Sequence, residues 1–163
     1  MFNRLRNLFP DGKDKKEWLL VRGTDEAFPK TSISILKIKG KNGHYSTGWV
    51  DKGYSNYKYK KFCRTNFLIK VDLTGPKSLQ FADLDMGTVE KYVREKLTNF
   101  GISHIVARFG REYGMDIEVY VENRDSTMVE LHKMENDPKA PGTFKYETND
   151  DPNWDAVDGL FNL

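Results

Sequence analysis

The sequence predicts an α+β protein whose second half forms a ferredoxin-like β-α-β-β-α-β two-layer sandwich. Two periodicities predict it: segments in which apolar and polar residues alternate, as in half-buried strands, and segments in which apolar residues recur every three or four positions, as in amphipathic helices. From residue 66 to residue 148 their order is strand, helix, strand, strand, helix, strand. In this arrangement two right-handed crossovers place both helices on one face of an antiparallel sheet.

Alternation predicts the strands of this half. They are expected at residues 67–73, 103–109, 115–121 and 144–147. The outward positions of the third strand are polar, so one of its faces is expected to be wet. Gly110 and Gly114 bound the hairpin loop between the second and third strands.

Apolar stripes predict the two helices. The first stripe consists of Met86, Val89, Val93, Leu97 and Phe100, and the second of Met128, Leu131 and Met134. Gly101 is placed to stop the first helix, and Asn123 and Asp125 are placed to cap the second. Asp151 and Pro152 are expected to begin a last helical turn, with the aspartate as cap and the proline at the first position. Trp154 falls on the apolar side of that turn.

Residues 1–65 are predicted to form a basic, β-rich extension packed on the main domain of residues 66–163. Strands are expected at residues 18–21, 32–39 and 45–50, with a turn at 40–43 where Lys-Asn-Gly accepts positive φ. These strands either extend the main sheet or form a small one of their own. Apolar residues at 2, 5, 8 and 9 indicate a short helix or a loosely held terminus.

The two halves differ in charge although the whole chain is nearly neutral, at +2. Residues 1–65 contain 15 basic and 6 acidic side chains, whereas the remainder contains 11 basic and 18 acidic ones. The basic half indicates either an acidic external partner or compensation between halves that pack together.

Composition excludes several classes of protein. No apolar run reaches the ~20 residues that span a bilayer, and the first ten residues lack the features of a secretory signal. A single cysteine, Cys63, gives no intramolecular disulfide. We therefore expect a cytoplasmic protein that does not bind membranes.

Side chains that carry chemistry are scattered. His44, His104 and His132 lack the companions that metal ligands need, and His104 is expected to be a core or sheet-face residue. Cys63 would act as a nucleophile only beside a histidine. The paired aspartates Asp83 and Asp85 are interpreted as helix-start residues. The sequence thus predicts no enzyme, no metal and no cofactor.

Two segments are candidates for binding. The first interleaves aromatic and basic residues: Tyr54, Tyr57, Lys58, Tyr59, Lys60, Lys61 and Arg64. Such a segment can stack bases while neutralising phosphates, although a tyrosine-rich strand with a lysine-bearing wet face is the simpler interpretation. The second is the arginine pair Arg108 and Arg111, which can bind a carboxylate or phosphate, or form cross-strand ion pairs at an exposed turn.

Several motifs of the second half resemble a known family. They are the run Asn66-Phe-Leu-Ile-Lys-Val-Asp-Leu73, the glycine-arginine turn at residues 106–112, the strand Ile117-Glu-Val-Tyr-Val121 and the ending Asp151-Pro-Asn-Trp154. Over about residues 66–161 the chain resembles a bacterial domain of unknown function that ends in Asp-Pro-x-Trp. That domain is grouped with the ribonuclease E activity regulator B family. The resemblance implies a ferredoxin-like module that binds proteins and has no catalytic residues, with Asp151, Pro152 and Trp154 as a structural motif.

Three functions are compatible with these observations. The first is a non-catalytic protein-binding module that regulates or inhibits another protein, motivated by the sheet face that a two-layer fold leaves open. The second is a cytosolic immunity protein that neutralises a cognate secreted toxin, such as a nuclease. The third is nucleic-acid binding through the basic half, which would weaken steeply with salt. An exposed edge strand would also permit a homodimer.

Overall fold

A computed structural model describes residues 12–163, which form an antiparallel sheet of six strands together with five helices. The strands are β1 Ile33–Lys39, β2 Tyr45–Asp51, β3 Thr65–Asp72, β4 Ser103–Gly110, β5 Gly114–Val121 and β6 Thr143–Asp150. The helices are α1 Gly12–Val21, α2 Pro76–Leu79, α3 Met86–Thr98, α4 Arg124–Asn136 and α5 Asp155–Asp158. The predicted α+β class is confirmed. The helix predicted near residues 2–9 lies outside the described residues.

The strands are ordered β1-β2-β4-β5-β3-β6, and every neighbouring pair is antiparallel. Four strands of the second half lie side by side, and the β1–β2 hairpin joins them next to β4. The first-half strands therefore extend the main sheet, which is one of the two arrangements that the sequence left open.

One face of the sheet is covered by α3 and α4. Both predicted helix stripes are buried here with the alternating residues of the strands, and Ile69, Ile117 and Val93 are fully buried. Asp85 begins α3 by accepting a hydrogen bond from the Thr88 amide at 2.6 Å. Gly101 follows α3 with a φ of +122°, a conformation that suits glycine. The predicted interface between these strands and helices is confirmed.

The other face is covered too, which corrects the prediction of an open sheet face. Residues 18–21 form part of α1 rather than a strand, and α1 buries Trp18 and Val21 against this face. A short apolar run such as Trp-Leu-Leu-Val does not distinguish helix from strand by itself. In the fold, Trp18 and Val21 are one helical turn apart and face inward, while Leu20 is exposed.

The segment between β2 and β3 also corrects an interpretation. It is not a tyrosine-rich strand with a wet face but a pair of 3₁₀ turns, Lys52–Tyr54 and Lys60–Phe62, joined by loops. Its tyrosines point into the second face of the sheet, where they meet residues of α1, β4, β5 and the C-terminal segment. The sheet is thus the middle layer of three.

None of the helices in residues 12–163 has the length and apolar character needed to cross a bilayer.

Candidate functional site

The predicted aromatic-basic segment supplies the core of the second layer. Tyr54, Tyr57 and Tyr59 are 6%, 7% and 4% exposed. With Trp18, His104, Tyr120 and Trp154 they form what we call the aromatic cluster. Because these rings already pack against one another, they are not available to stack on the bases of a nucleic acid. The physical reason is that an aromatic side chain gains more from complete burial than from exposure on a wet face.

His104 lies at the centre of the cluster and is fully satisfied there. Tyr57 donates its hydroxyl proton to the Ala27 carbonyl at 2.6 Å, so the Nε2 of His104, 3.1 Å away, must donate to the Tyr57 oxygen. Nδ1 then accepts from the Tyr54 hydroxyl at 3.1 Å. Burial lowers the pKa of His104 to about 3, and the ring is neutral at ordinary pH. The prediction of a core histidine is confirmed.

Three of the four basic residues of the same segment form ion pairs within the chain. Lys58 pairs with Glu17, Lys61 with Asp14, and Arg64 with Asp150 through two bonds of 2.6 Å. Lys60 donates to the Ser55 carbonyl and lies 5.9 Å from the centre of the Trp154 ring. Partial burial lowers the pKa of Lys60. Arg64 joins the two halves of the chain, as does the Arg22–Glu122 pair, so part of the charge asymmetry is compensated internally.

The two candidate arginines are also paired. Arg108 donates to Glu90 of α3 at 2.9 Å, and Arg111 donates to Asp116 at 2.5 Å. They lie on opposite faces of the sheet, because successive side chains of a strand point to opposite sides. Arg108 faces α3, whereas Arg111, just after β4, lies beside Phe109 on the other face. They do not form a joint anion site. The alternative of cross-strand ion pairs at the turn is correct for Arg111 but not for Arg108, whose partner lies on a helix.

The Asp-Pro-x-Trp ending closes the aromatic cluster. The Asp151 carboxylate accepts from the Tyr120 hydroxyl at 2.6 Å and from the amides of Asp155 and Ala156 at 2.8 and 3.0 Å. Trp154 is fully buried, stacks on Tyr120 at 4.0 Å and donates its indole N–H to the Cys63 carbonyl. Asp151 therefore caps α5, but α5 begins at Asp155, so Pro152 precedes the helix instead of occupying its first position.

Trp154 itself has a φ of +64°, in the left-handed region that a bulky residue rarely adopts. The stacking contact, the indole hydrogen bond and the Asp151 cap together hold it there. The ending is a structural motif whose Asp151 and Trp154 side chains face inward.

Reactive side chains are equally enclosed. Cys63 is fully buried, and burial raises the pKa of its thiol well above the ordinary value. Within residues 12–163 no group of three or more histidine, cysteine or acidic side chains is arranged to hold a metal ion.

The β1–β2 hairpin contrasts with these enclosed groups. Its two strands pair over seven positions, but only three positions of β2 pair with β4. The close approach at that junction requires Gly48, because a β-carbon there would lie 2.8 Å from the Arg108 carbonyl oxygen. Beside this junction the Ser46 hydroxyl donates to the Gly110 carbonyl at 3.0 Å. On the other side, the Trp49 indole N–H donates to Glu90 of α3 at 3.2 Å.

One side of the hairpin, which we call the hairpin face, exposes apolar residues beside lysines. It consists of Ile33, Ile35, Lys37 and Lys39 from β1 with Tyr45, Thr47 and Trp49 from β2. Ile35 is 72% exposed and Ile33 is 49% exposed. A cavity of about 460 Å³ adjoins the face at its base, between Phe28, Trp49 and Arg94.

The backbone of β1 faces outward along the same residues. At the two ends of β1, Gly40 donates to the His44 carbonyl and Lys52 donates to the Ser32 carbonyl. Because bonded and non-bonded residues alternate along an antiparallel strand, the even-numbered residues of β1 are the ones bonded to β2. The N–H and C=O groups of the odd-numbered residues, 33 to 39, point away from β2. Within the described residues, β1 lies at the end of the strand order.

The outer part of the hairpin is basic, whereas its base is bordered by two acids, Asp51 opposite Ile33 and Glu90 of α3 beside Trp49. Residues 27–50 include Lys30, Lys37, Lys39 and Lys41 and contain no aspartate or glutamate. Sequence reasoning predicted both strands but did not single them out as a candidate site. The signal that could have pointed to them is that isoleucines and then lysines occupy alternate positions of one strand, within a stretch of residues 27–50 that contains no acid.

Fold and site together define an α+β protein that encloses its aromatic cluster, including His104, and presents an edge strand with exposed isoleucines and lysines. Comparisons with known protein families, with curated proteins and with solved structures found no match.

Proposed function

We propose that this chain is a non-catalytic protein-binding module, a regulator or inhibitor of its partner, and that it binds through the β1–β2 hairpin. The observation that carries the proposal is the exposure of Ile33 and Ile35 on a strand that ends the sheet. Long, apolar edge strands pair readily with other chains, so proteins normally blunt or cover them. An exposed one is typical of a surface that a partner covers.

We also propose that β3, α3, β4, β5, α4 and β6 form a ferredoxin-like unit. The strand order β4-β5-β3-β6, the antiparallel pairing and the location of both helices on one face support it. Membership of the ribonuclease E activity regulator B family remains a prediction from the sequence motifs.

The non-catalytic part of the proposal rests on the state of the reactive groups. His104 uses both ring nitrogens in hydrogen bonds to tyrosines, and Cys63 is buried with a raised pKa. A general base or nucleophile needs access to its substrate and a pKa near the working pH. Neither residue meets these requirements.

A protein partner fits the hairpin better than nucleic acid does. The tyrosines of residues 54–59 are buried, and the hairpin face exposes two isoleucines, Ile33 and Ile35, beside one aromatic ring, that of Tyr45. Aliphatic side chains gain from contact with an apolar surface, whereas a phosphate backbone offers them none. An immunity protein bound to its toxin would be one instance of such a module.

Site-specific photo-cross-linking tests the proposal. A benzophenone amino acid is placed at position 35 on the hairpin and, as a matched control, at position 129, which is exposed on α4 near the opposite edge of the sheet. After irradiation in native lysate, mass spectrometry identifies the attached proteins. We expect a defined protein attached at position 35 and absent at position 129.

The same cross-linking is repeated with Ile33 replaced by Asp. A charged residue there should remove the product at position 35 while leaving the fold unchanged, because Ile33 is half exposed. Identical products at both positions, or none at position 35, would contradict binding through the hairpin.

A further inference from the structure

Resting on the proposed function, we propose that the partner contributes an acidic, extended segment that adds a strand antiparallel to β1. The available sites for it are the outward N–H and C=O groups of residues 33, 35, 37 and 39. Strand addition satisfies these groups with main-chain hydrogen bonds, and side chains on alternate positions supply specificity. The seven residues of β1 set the length of the segment.

Charge on the hairpin selects an acidic partner. Lys37 and Lys39 lie at the C-terminal end of β1, with Lys41 beyond them. The acid of the hairpin, Asp51, lies at the other end opposite Ile33, where its carboxylate accepts from the amides of Ser32 and Gly53. The Lys37 amine lies 4.2 Å from the centre of the Tyr45 ring, a contact that holds the cation on the hairpin face without neutralising it. Opposite charges in directly facing cross-strand positions are favourable, and like charges are not.

The same charges disfavour a second copy of this chain as the added strand. Pairing β1 with β1 of another molecule would bring two more lysines to a seven-residue edge and would supply no carboxylate. Lysines on an edge strand are a recognised means of preventing such self-association. The structure therefore favours a partner of different sequence.

The antiparallel register with β1 predicts the residue pattern of the partner segment. In an antiparallel pair its N-terminal residues face Lys39 and Lys37, and its C-terminal residues face Ile35 and Ile33. On the hairpin face the partner should read acidic, acidic, apolar, apolar at alternate positions. The intervening residues lie beside Ile38, Leu36 and Ser34, which are partly buried on the other side of the hairpin.

A peptide with this pattern is the probe. Fluorescein-labelled Glu-Thr-Glu-Val-Val-Thr-Val is titrated with the full chain by fluorescence anisotropy, alongside a matched peptide in which both glutamates are lysine. We expect the acidic peptide to bind at least about tenfold more tightly. In the Lys37→Glu, Lys39→Glu double variant the preference should reverse, which a misfolded variant would not do.

The backbone contribution is tested separately. Ile35→Pro removes an N–H that points away from β2, so the hairpin keeps its internal ladder while strand addition loses a bond. We expect the acidic peptide to bind about tenfold more weakly to this variant. Ile35→Val keeps the N–H and should bind like the wild type.

Several outcomes would overturn the inference. They are equal binding of the two peptides, unchanged binding to Ile35→Pro, a dimer in sedimentation that Ile35→Pro dissolves, and displacement of the peptide by a single-stranded oligonucleotide. If a protein is still cross-linked at position 35 when the peptide preference is absent, the inference fails and the proposed function stands. If nothing is cross-linked there, the proposed function fails.

Discussion

The aromatic cluster and the hairpin face both combine apolar and polar groups. The cluster buries them, whereas the hairpin face exposes its isoleucines and lysines. In the cluster, rings and polar groups are enclosed, and each hydroxyl, ring nitrogen and carboxylate named above has a partner inside the chain. On the hairpin face, isoleucines are exposed and the outward backbone of β1 lies at the edge of the sheet. Buried polar groups must be paired because leaving one unpaired costs about 1–3 kcal/mol.

This difference separates stability from recognition. Changes in the cluster should destabilise the fold, because they create cavities or orphan polar groups. Changes on the hairpin face should leave the fold intact and alter binding. The following predictions test that separation, beginning with the largest expected effect.

Trp154→Ala should destabilise the protein most. The substitution removes a fully buried indole, its stack on Tyr120 and its hydrogen bond to the Cys63 carbonyl. Replacing a buried aromatic residue by alanine costs about 3–5 kcal/mol. Urea denaturation followed by circular dichroism measures the loss. Leu79→Ala, at a residue that is 78% exposed, is the control and should change stability little. A loss for Trp154→Ala no larger than that of the control would contradict the structural role of the motif.

Asp151→Ala should have the next largest effect. It leaves the Tyr120 hydroxyl and the amides of Asp155 and Ala156 without their acceptor. We expect a loss of about 2–3 kcal/mol in the free energy of unfolding. Asp151→Asn keeps one acceptor oxygen and should lose less. If the two variants are equally stable, the carboxylate does not have the assigned role.

His104 should make stability depend on pH. Its pKa is about 3 in the folded protein and 6.5 in its ordinary state, so between these values the unfolded chain binds a proton that the folded chain does not. The free energy of unfolding should therefore decrease as pH falls through this window, by at most about 1.4 kcal/mol per pH unit.

Urea denaturation at several pH values from about 7 to about 5 measures this slope. The range lies above the ordinary pKa values of aspartate and glutamate, so few carboxylates titrate within it. The His104→Gln variant should lack the His104 contribution, so the stability difference between wild type and variant should narrow as pH falls. Parallel curves for the two proteins would show that His104 is not the group responsible.

Ile35→Thr should have the smallest effect on the fold. The side chain is 72% exposed, and threonine retains the β-branched shape that favours strands. We expect the free energy of unfolding to change by no more than about 0.5 kcal/mol. A larger loss, measured by the same denaturation, would mean that the hairpin face contributes to the folded core.

The sequence predicted the half of the fold in which the period of apolar residues matches the side that is buried. Residues 67–73 and 115–121 alternate because one side of each strand faces α3 and α4, and the stripe from Met86 to Leu97 is the complementary surface. Periodicity of this kind is visible in any single sequence.

The aromatic cluster could not be predicted in the same way. Tyr54, Tyr57 and Tyr59 lie in 3₁₀ turns and loops, where side-chain direction follows no fixed period. Their burial depends on Trp18, His104 and Trp154, which are distant along the chain. Trp154 also adopts a left-handed backbone conformation, which the neighbouring residues in the sequence do not predict.

By itself, the sequence determined the α+β class, the alternating strands and the helix stripes, and it restricted His104 to a core or sheet-face position. The tertiary structure decided that a second layer covers the sheet, that three cations of the basic segment pair with acids of α1 and β6, and that β1 lies at the edge. Local periodicity records which side of an element is buried. Which other element of the chain covers that side depends on long-range packing, and this is decided only when the whole chain folds.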